Sequence, residues 1–129
     1  MKIRDWTQLK KAKVSSEEAA INLAEINRGD LKISVEDFQQ GLEVELEHGI
    51  RYSGANVTNN HPILTGQITL AHFNESLYYY KRLDVSEIEG DSLKAIANKN
   101  ISKFEAIYRK LVKARLTISQ VESDLLKQS

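Results

Sequence analysis

Apolar residues along the chain recur at intervals of three and four, and alternation at two is rare, so the sequence predicts an all-α fold. Ser15 and Glu18 form a capping box, in which the serine hydroxyl serves the third helical amide and the glutamate reaches back. The helix they open is predicted from about Ser16 to Asn27, with Ala20, Leu23, Ala24 and either Ile26 or Asn27 inward, and Gly29 ends it. Ser34 with Asp37 opens a second helix, through Phe38, Leu42 and Leu46 to His48, where Gly49 supplies the left-handed residue that helix ends favour. The stretch from Ile50 to Asn60 is rich in turn formers and predicts an ordered polar loop. Pro62 suits the first turn of a third helix, which the pattern carries through Tyr80 to Leu83, and Gly90 breaks the chain before Asp91 or Ser92 caps the last one.

That last segment is the most regular. Leu93, Ala97, Asn100, Phe104, Ile107, Leu111, Ala114, Ile118, Val121 and Leu125 step by fours and threes, an apolar seam of more than four heptads. Uninterrupted, it is a rod of ~50 Å at about 1.5 Å per residue, longer than a small helical domain is wide. A rod that outruns its body exposes its seam, which predicts pairing with a neighbour. A rod that is broken, or that folds back along its own bundle, removes that reason. At the other end, residues 1–14 place Ile3, Trp6 and Leu9 at helical spacing beside the basic cluster Lys10, Lys11 and Lys13, and predict a docking arm with Trp6 either anchoring a partner or covering the chain's own core.

Composition narrows the function classes. A chain of 129 residues is one typical domain, and it has no cysteine, which excludes disulfides and thiolate metal sites and leans toward a reducing, cytoplasmic setting. No apolar run approaches the ~20 residues that span a bilayer, and no export signal is evident. Net charge is zero but unevenly spread: residues 1–35 carry seven Lys/Arg against five Asp/Glu, residues 36–91 three against ten, and residues 92–129 eight against three. An acidic middle and a basic tail suit complementarity between subunits, and disfavour nucleic acid, which normally meets an overall basic excess.

The chemistry-bearing residues are Glu45 and His48, then His72 and Glu75, each pair at the spacing of neighbours on one helix face. Glu75 falls within an apolar stripe of Leu64, Ile68, Ala71, Tyr78 and Tyr79, where a charge needs a cation, hydrogen bonds or a raised pKa. If the two helices pack antiparallel, Glu45, His48, His72 and Glu75 converge and suit Fe(II), Mn or Zn, although one chain supplies only half of a di-iron set. The same residues, with Tyr79, also suit a hydrogen-bonded core network that ties down the polar loop. No nucleophile elbow or glycine-rich phosphate cradle is present, so no catalytic residue is assigned.

Read whole, Glu43 to Leu83 resembles an uncharacterised family of small bacterial and phage helical proteins. The strings that carry the resemblance are Glu45-Leu46-Glu47-His48-Gly49, the entry Thr65-Gly66-Gln67-Ile68, and Leu70-Ala71-His72-Phe73-Asn74-Glu75 leading to Tyr79-Tyr80. The resemblance implies that Glu45, His48, Gly49, Thr65, His72, Glu75, Tyr79 and Tyr80 belong to one module, and that a virion is a setting beside the cytoplasm. No activity comes with it, and the leader and final helix lie outside it. The sequence therefore predicts a compact helical bundle in one domain, with residues 1–14 as docking arm, 15–90 as helical module and 91–129 as a long C-terminal helix. The expected role is a non-enzymatic structural or adaptor protein, a homo-oligomer or part of a larger assembly such as a phage virion or head-to-tail connector. It needs no cofactor and touches neighbours through Trp6, Leu93, Phe104, Ile107, Leu111, Ile118, Val121 and Leu125. The alternative is a small metal-binding bundle.

Overall fold

The computed structural model describes residues 3–26 and 28–128, and among these the fold is all-α, with a long helix at the C-terminal end. The helices are α1 (Ser16–Glu25), α2 (Val35–Arg51), α3 (Pro62–Glu75), α4 (Tyr79–Ala97) and α5 (Ile101–Lys127). They fall into two compact units, Met1–Leu77 and Tyr78–Ser129, so the division lies at Leu77 and not after residue 90.

In the first unit α1, α2 and α3 pack on one another. The capping box forms as predicted: Ser15 Oγ accepts from the Glu18 amide at 3.0 Å while Glu18 accepts from the Ser15 amide at 2.9 Å. The buried face of α1 is Glu18, Ala19, Asn22 and Leu23, continued by Ile26, one position round from the expected Ala20 and Ala24, which are exposed; Asn27 lies outside the described residues. Phe38, Leu42 and Leu46 of α2 are fully buried, and Phe38 stacks on Phe73 of α3 at 6.4 Å. Each such side chain removed from water contributes about 1.5–3 kcal/mol.

Two buried glycines let neighbouring segments approach closely. A Cβ at Gly66 on α3 would collide with the Asn22 side chain of α1, so α1 and α3 approach closely only because Gly66 has none. Gly49 does not end α2, which continues to Arg51; it is a buried helical residue against which Asn56 and Asn60 of the following loop close. Asn22 is itself fully buried, its amide donating to the Pro62 carbonyl at 2.8 Å while its Oδ1, aimed at Gly66, has no hydrogen-bond partner.

The single helix predicted from Pro62 to Leu83 is two. Ser76 leaves helical geometry at φ −160° and ψ 131°, ending α3 at Glu75, and α4 begins at Tyr79. Gly90 does not break the chain: it sits inside α4, with open space where a Cβ would lie.

The second unit is a helical hairpin. α4 ends at Ala97, Lys99 takes a left-handed φ of 56°, its amide bonding the Ile96 carbonyl and that of Asn100 the Ala95 carbonyl, and Asn100 then caps α5 by accepting from the Lys103 amide at 3.1 Å. The ~50 Å rod is thus divided at Asn98–Asn100, and its length gives no reason for a neighbour. α5 packs along α4, with Leu111 and Ile118 of the seam buried and Phe104, Ile107 and Val121 partly covered. Two ion pairs cross the hairpin, Arg82 with Glu122 and Arg115 with Glu89, both at 3.3 Å.

Candidate functional site

α2 and α3 bring the predicted carboxylates and imidazole together around His72. Its Nε2 lies 3.5 Å from Glu45 Oε2 across the helix pair, and its Nδ1 lies 3.8 Å from Glu75 Oε2 one turn along α3. Glu45 is largely enclosed, with 15 % of its side chain exposed, whereas Glu75 is 71 % exposed. The buried Glu75 that the apolar stripe predicted is therefore not found. α3 stops at that residue, so Tyr78 and Tyr79 do not form its next turn. His72 occupies the last turn of α3. Placed between Glu45 of α2 and Glu75 of its own helix, the His72 ring links α3 to α2.

His48 takes a different direction. It is exposed on α2 and, with Glu45, Tyr52, Asn56, Val57 and Ile68, lines a shallow groove of about 270 Å³ between α2 and the polar loop. Tyr79 opens α4, in the second unit, with its ring edge-on to Tyr80 at 5.0 Å. Among the described residues, no group of three or more His, Asp or Glu side chains is arranged to hold a metal ion.

The polar loop is ordered by its own side chains. Asn56 Nδ2 donates to Asn60 Oδ1 at 2.9 Å, Thr58 Oγ1 to Asn56 Oδ1 at 3.2 Å, and the Asn60 amide to Thr58 Oγ1 at 3.1 Å. Thr65, fully buried on α3, reaches Thr58 Oγ1 at 3.5 Å. Asn59 and Asn60 are left-handed, at φ 50° and 59°, the conformation asparagine tolerates best among residues with a side chain.

The deeply buried carboxylate is Glu18, which the sequence marked only as half of a capping box. It is 4 % exposed and accepts from the Arg4 amide, from Arg4 Nε and Nη2, from Trp6 Nε1 at 2.9 Å and from the Ser15 amide. Burial alone pushes its pKa up, but the Arg4, Ser15 and Trp6 hydrogen bonds outweigh it and bring the carboxyl from 4.5 down to about 2. Trp6 is itself fully buried, so it fastens the leader to the chain's own core and is no partner anchor. The leader then crosses α2, where Val14 donates its amide to Glu43 at 3.0 Å and Gln39 donates to the Val14 carbonyl at 2.8 Å. Between leader and α2 lies a groove of about 680 Å³ with Val44 and Ile50 among its apolar walls and Lys10, Lys11, Lys13 and Arg51 as its cations.

Residues 3–89 match the model of a family described as a protein of unknown function, DUF5661. The chain belongs to this family. The match takes in the leader, which the resemblance read from Glu43 to Leu83 left out, together with all of α1, α2 and α3 and the first half of α4; α5 lies beyond it. The DUF5661 description assigns no activity to the Glu45–His72–Glu75 cluster or to either groove. Comparison with curated proteins and with solved structures finds no match. No described helix is long and apolar enough to cross a membrane.

Proposed function

We propose that this DUF5661 member is a non-enzymatic structural or adaptor protein that assembles with copies of itself through its α4–α5 hairpin. The observation that carries the reading is a second apolar row on α5. Ile101, Tyr108, Val112 and Leu116 follow one another at seven, four and four residues, and are 70, 47, 50 and 69 % exposed. The row lies beside the Leu111–Ile118 face that α4 already covers. A two-helix hairpin buries one stripe per helix; a second stripe is matched when two hairpins join as a four-helix bundle. The basic balance of residues 92–129 is compatible with this, because the row itself is uncharged. A phage particle or connector, the setting that the family resemblance implies, is one in which a chain meets many copies of itself.

Sedimentation equilibrium of the full chain tests the reading. The wild type is expected at twice its 14.7 kDa mass, and the double variant Val112→Glu/Leu116→Glu at the monomer mass. Both positions are exposed, so each substitution alters folding stability by no more than about 0.5 kcal/mol and circular dichroism stays helical. A monomeric wild type, or a variant with unchanged mass, overturns the proposal.

A further inference from the structure

We infer that the groove between the leader and α2 receives the acidic face of α4 from a second copy of this chain, in a head-to-tail contact. The inference rests on the self-association reading and adds to it a second, unlike interface.

The groove, of about 680 Å³, has a specific composition. Its floor carries Val44 and Ile50, and its cations are Lys10, Lys11, Lys13 and Arg51. Of its carboxylates, Glu43 is committed within the fold, accepting from the Val14 amide at 3.0 Å and lying 3.9 Å from Lys13. Lys10, Lys11 and Arg51, all exposed, are then set against Glu47 alone. A rim with this excess of cations fits an exposed acidic helix face.

The chain contains a segment of the required kind. Residues 84–91 hold Asp84, Glu87, Glu89 and Asp91 and no lysine or arginine. Asp84, Glu87 and Asp91 recur at i, i+3 and i+7, so they share one face of α4, turned away from Val85, which is partly covered. Asp84, Glu87 and Asp91 are all exposed. Groove and acidic face are different surfaces of one sequence, so the contact is heterologous, and repetition builds rings or filaments where the hairpin contact alone stops at a pair.

Sedimentation velocity of the full chain at about 50 mM and about 500 mM NaCl tests this, since exposed charges are screened within a few ångströms at the higher salt. The wild type is expected to form species larger than the hairpin dimer at low salt and to return to the dimer at high salt. Lys10→Glu/Lys11→Glu, and separately Asp84→Lys/Asp91→Lys, are expected to lose the larger species at low salt. An equimolar mixture of the two variants is expected to regain them, because the reversed groove of one meets the reversed helix of the other. A wild type that stays a dimer at both salts overturns the inference and leaves the hairpin reading standing. A wild type monomeric at high salt but assembled at low salt supports the groove contact and sinks the hairpin reading. Failure of the mixture to recover, or salt-sensitive binding of a short duplex DNA by the groove without any change of protein mass, also overturns it.

Discussion

Neutralising Glu18 is expected to cost the first unit about 2–3 kcal/mol, and to do so in a way that pH reveals. The carboxylate sits at 4 % exposure with its pKa lowered from 4.5 to about 2. That difference corresponds to about 3 kcal/mol of preference for the ionised form in the folded state. Arg4, the strongest of its partners, has 57 % of its side chain exposed, and solvent screening brings the expected figure to the lower part of that range. Because the folded pKa lies below the unfolded one, the unfolded chain binds more protons between them. The stabilisation is therefore complete above about pH 5 and drains away as pH falls toward 2. Glu18→Gln keeps the shape but turns an amide group toward donors from Arg4, Trp6 and Ser15, so it lacks the stabilisation at every pH. Trp6 is the one tryptophan of the chain and donates directly to Glu18, so its fluorescence in urea titrations reports this unit. Between pH 7 and pH 5 the wild type is expected to exceed the variant by about 2–3 kcal/mol, and by pH 2 the gap is expected to have halved or more. A gap that is constant from pH 7 to pH 2, or that widens on acidification, refutes the reasoning.

Gly66→Ala is expected to destabilise the same unit by about 1–3 kcal/mol in urea titrations, because its Cβ meets the buried Asn22 side chain and α1 and α3 must part; the opposite sign would show that Asn22 turns aside without cost. Gly90→Ala is expected to raise the stability of the hairpin by about 0.5–1 kcal/mol, measured by thermal circular dichroism, since the position is helical and opens onto free space.

The helices were legible in the sequence wherever a side chain signalled a helix start. Ser15, Ser34 and Pro62 each opened the element predicted for them, because a hydroxyl beside an amide two or three residues on, or a missing amide, acts locally and needs no tertiary partner. Helix ends were less legible. The glycine pattern predicts stops at Gly49 and Gly90, yet both are helical, and Gly49 lets Asn56 and Asn60 close in. The real stops were Ser76 and the Asn98–Lys99–Asn100 turn. An apolar period that happens to continue across a turn hides it, as the four-and-three stepping did at Asn100. The cost of Lys99 in left-handed geometry is offset by the α4–α5 packing that the turn permits, a tertiary gain that a local pattern does not display.

The site was half legible for a related reason. Glu45 and His72 do meet across α2 and α3, as their placement on facing helices predicted, and Glu75 joins them from the next turn. What helical projection misjudged was which carboxylate is buried. A projection assumes the helix continues, and Glu75 is the last residue of α3, so the stripe that was to enclose it belongs to another helix. Glu18 lies on no conspicuous stripe, yet the capping box already turns its side chain back toward the preceding backbone. There a leader bearing an arginine and a tryptophan two residues apart closes over it. The available signal was the coincidence of Arg4, Trp6 and Glu18, a cation, an indole donor and an acid gathered near one helix start. A carboxylate so thoroughly satisfied holds structure and has no proton to exchange near neutral pH. That assigns the leader to the fold of the first unit and leaves its lysines exposed beside α2.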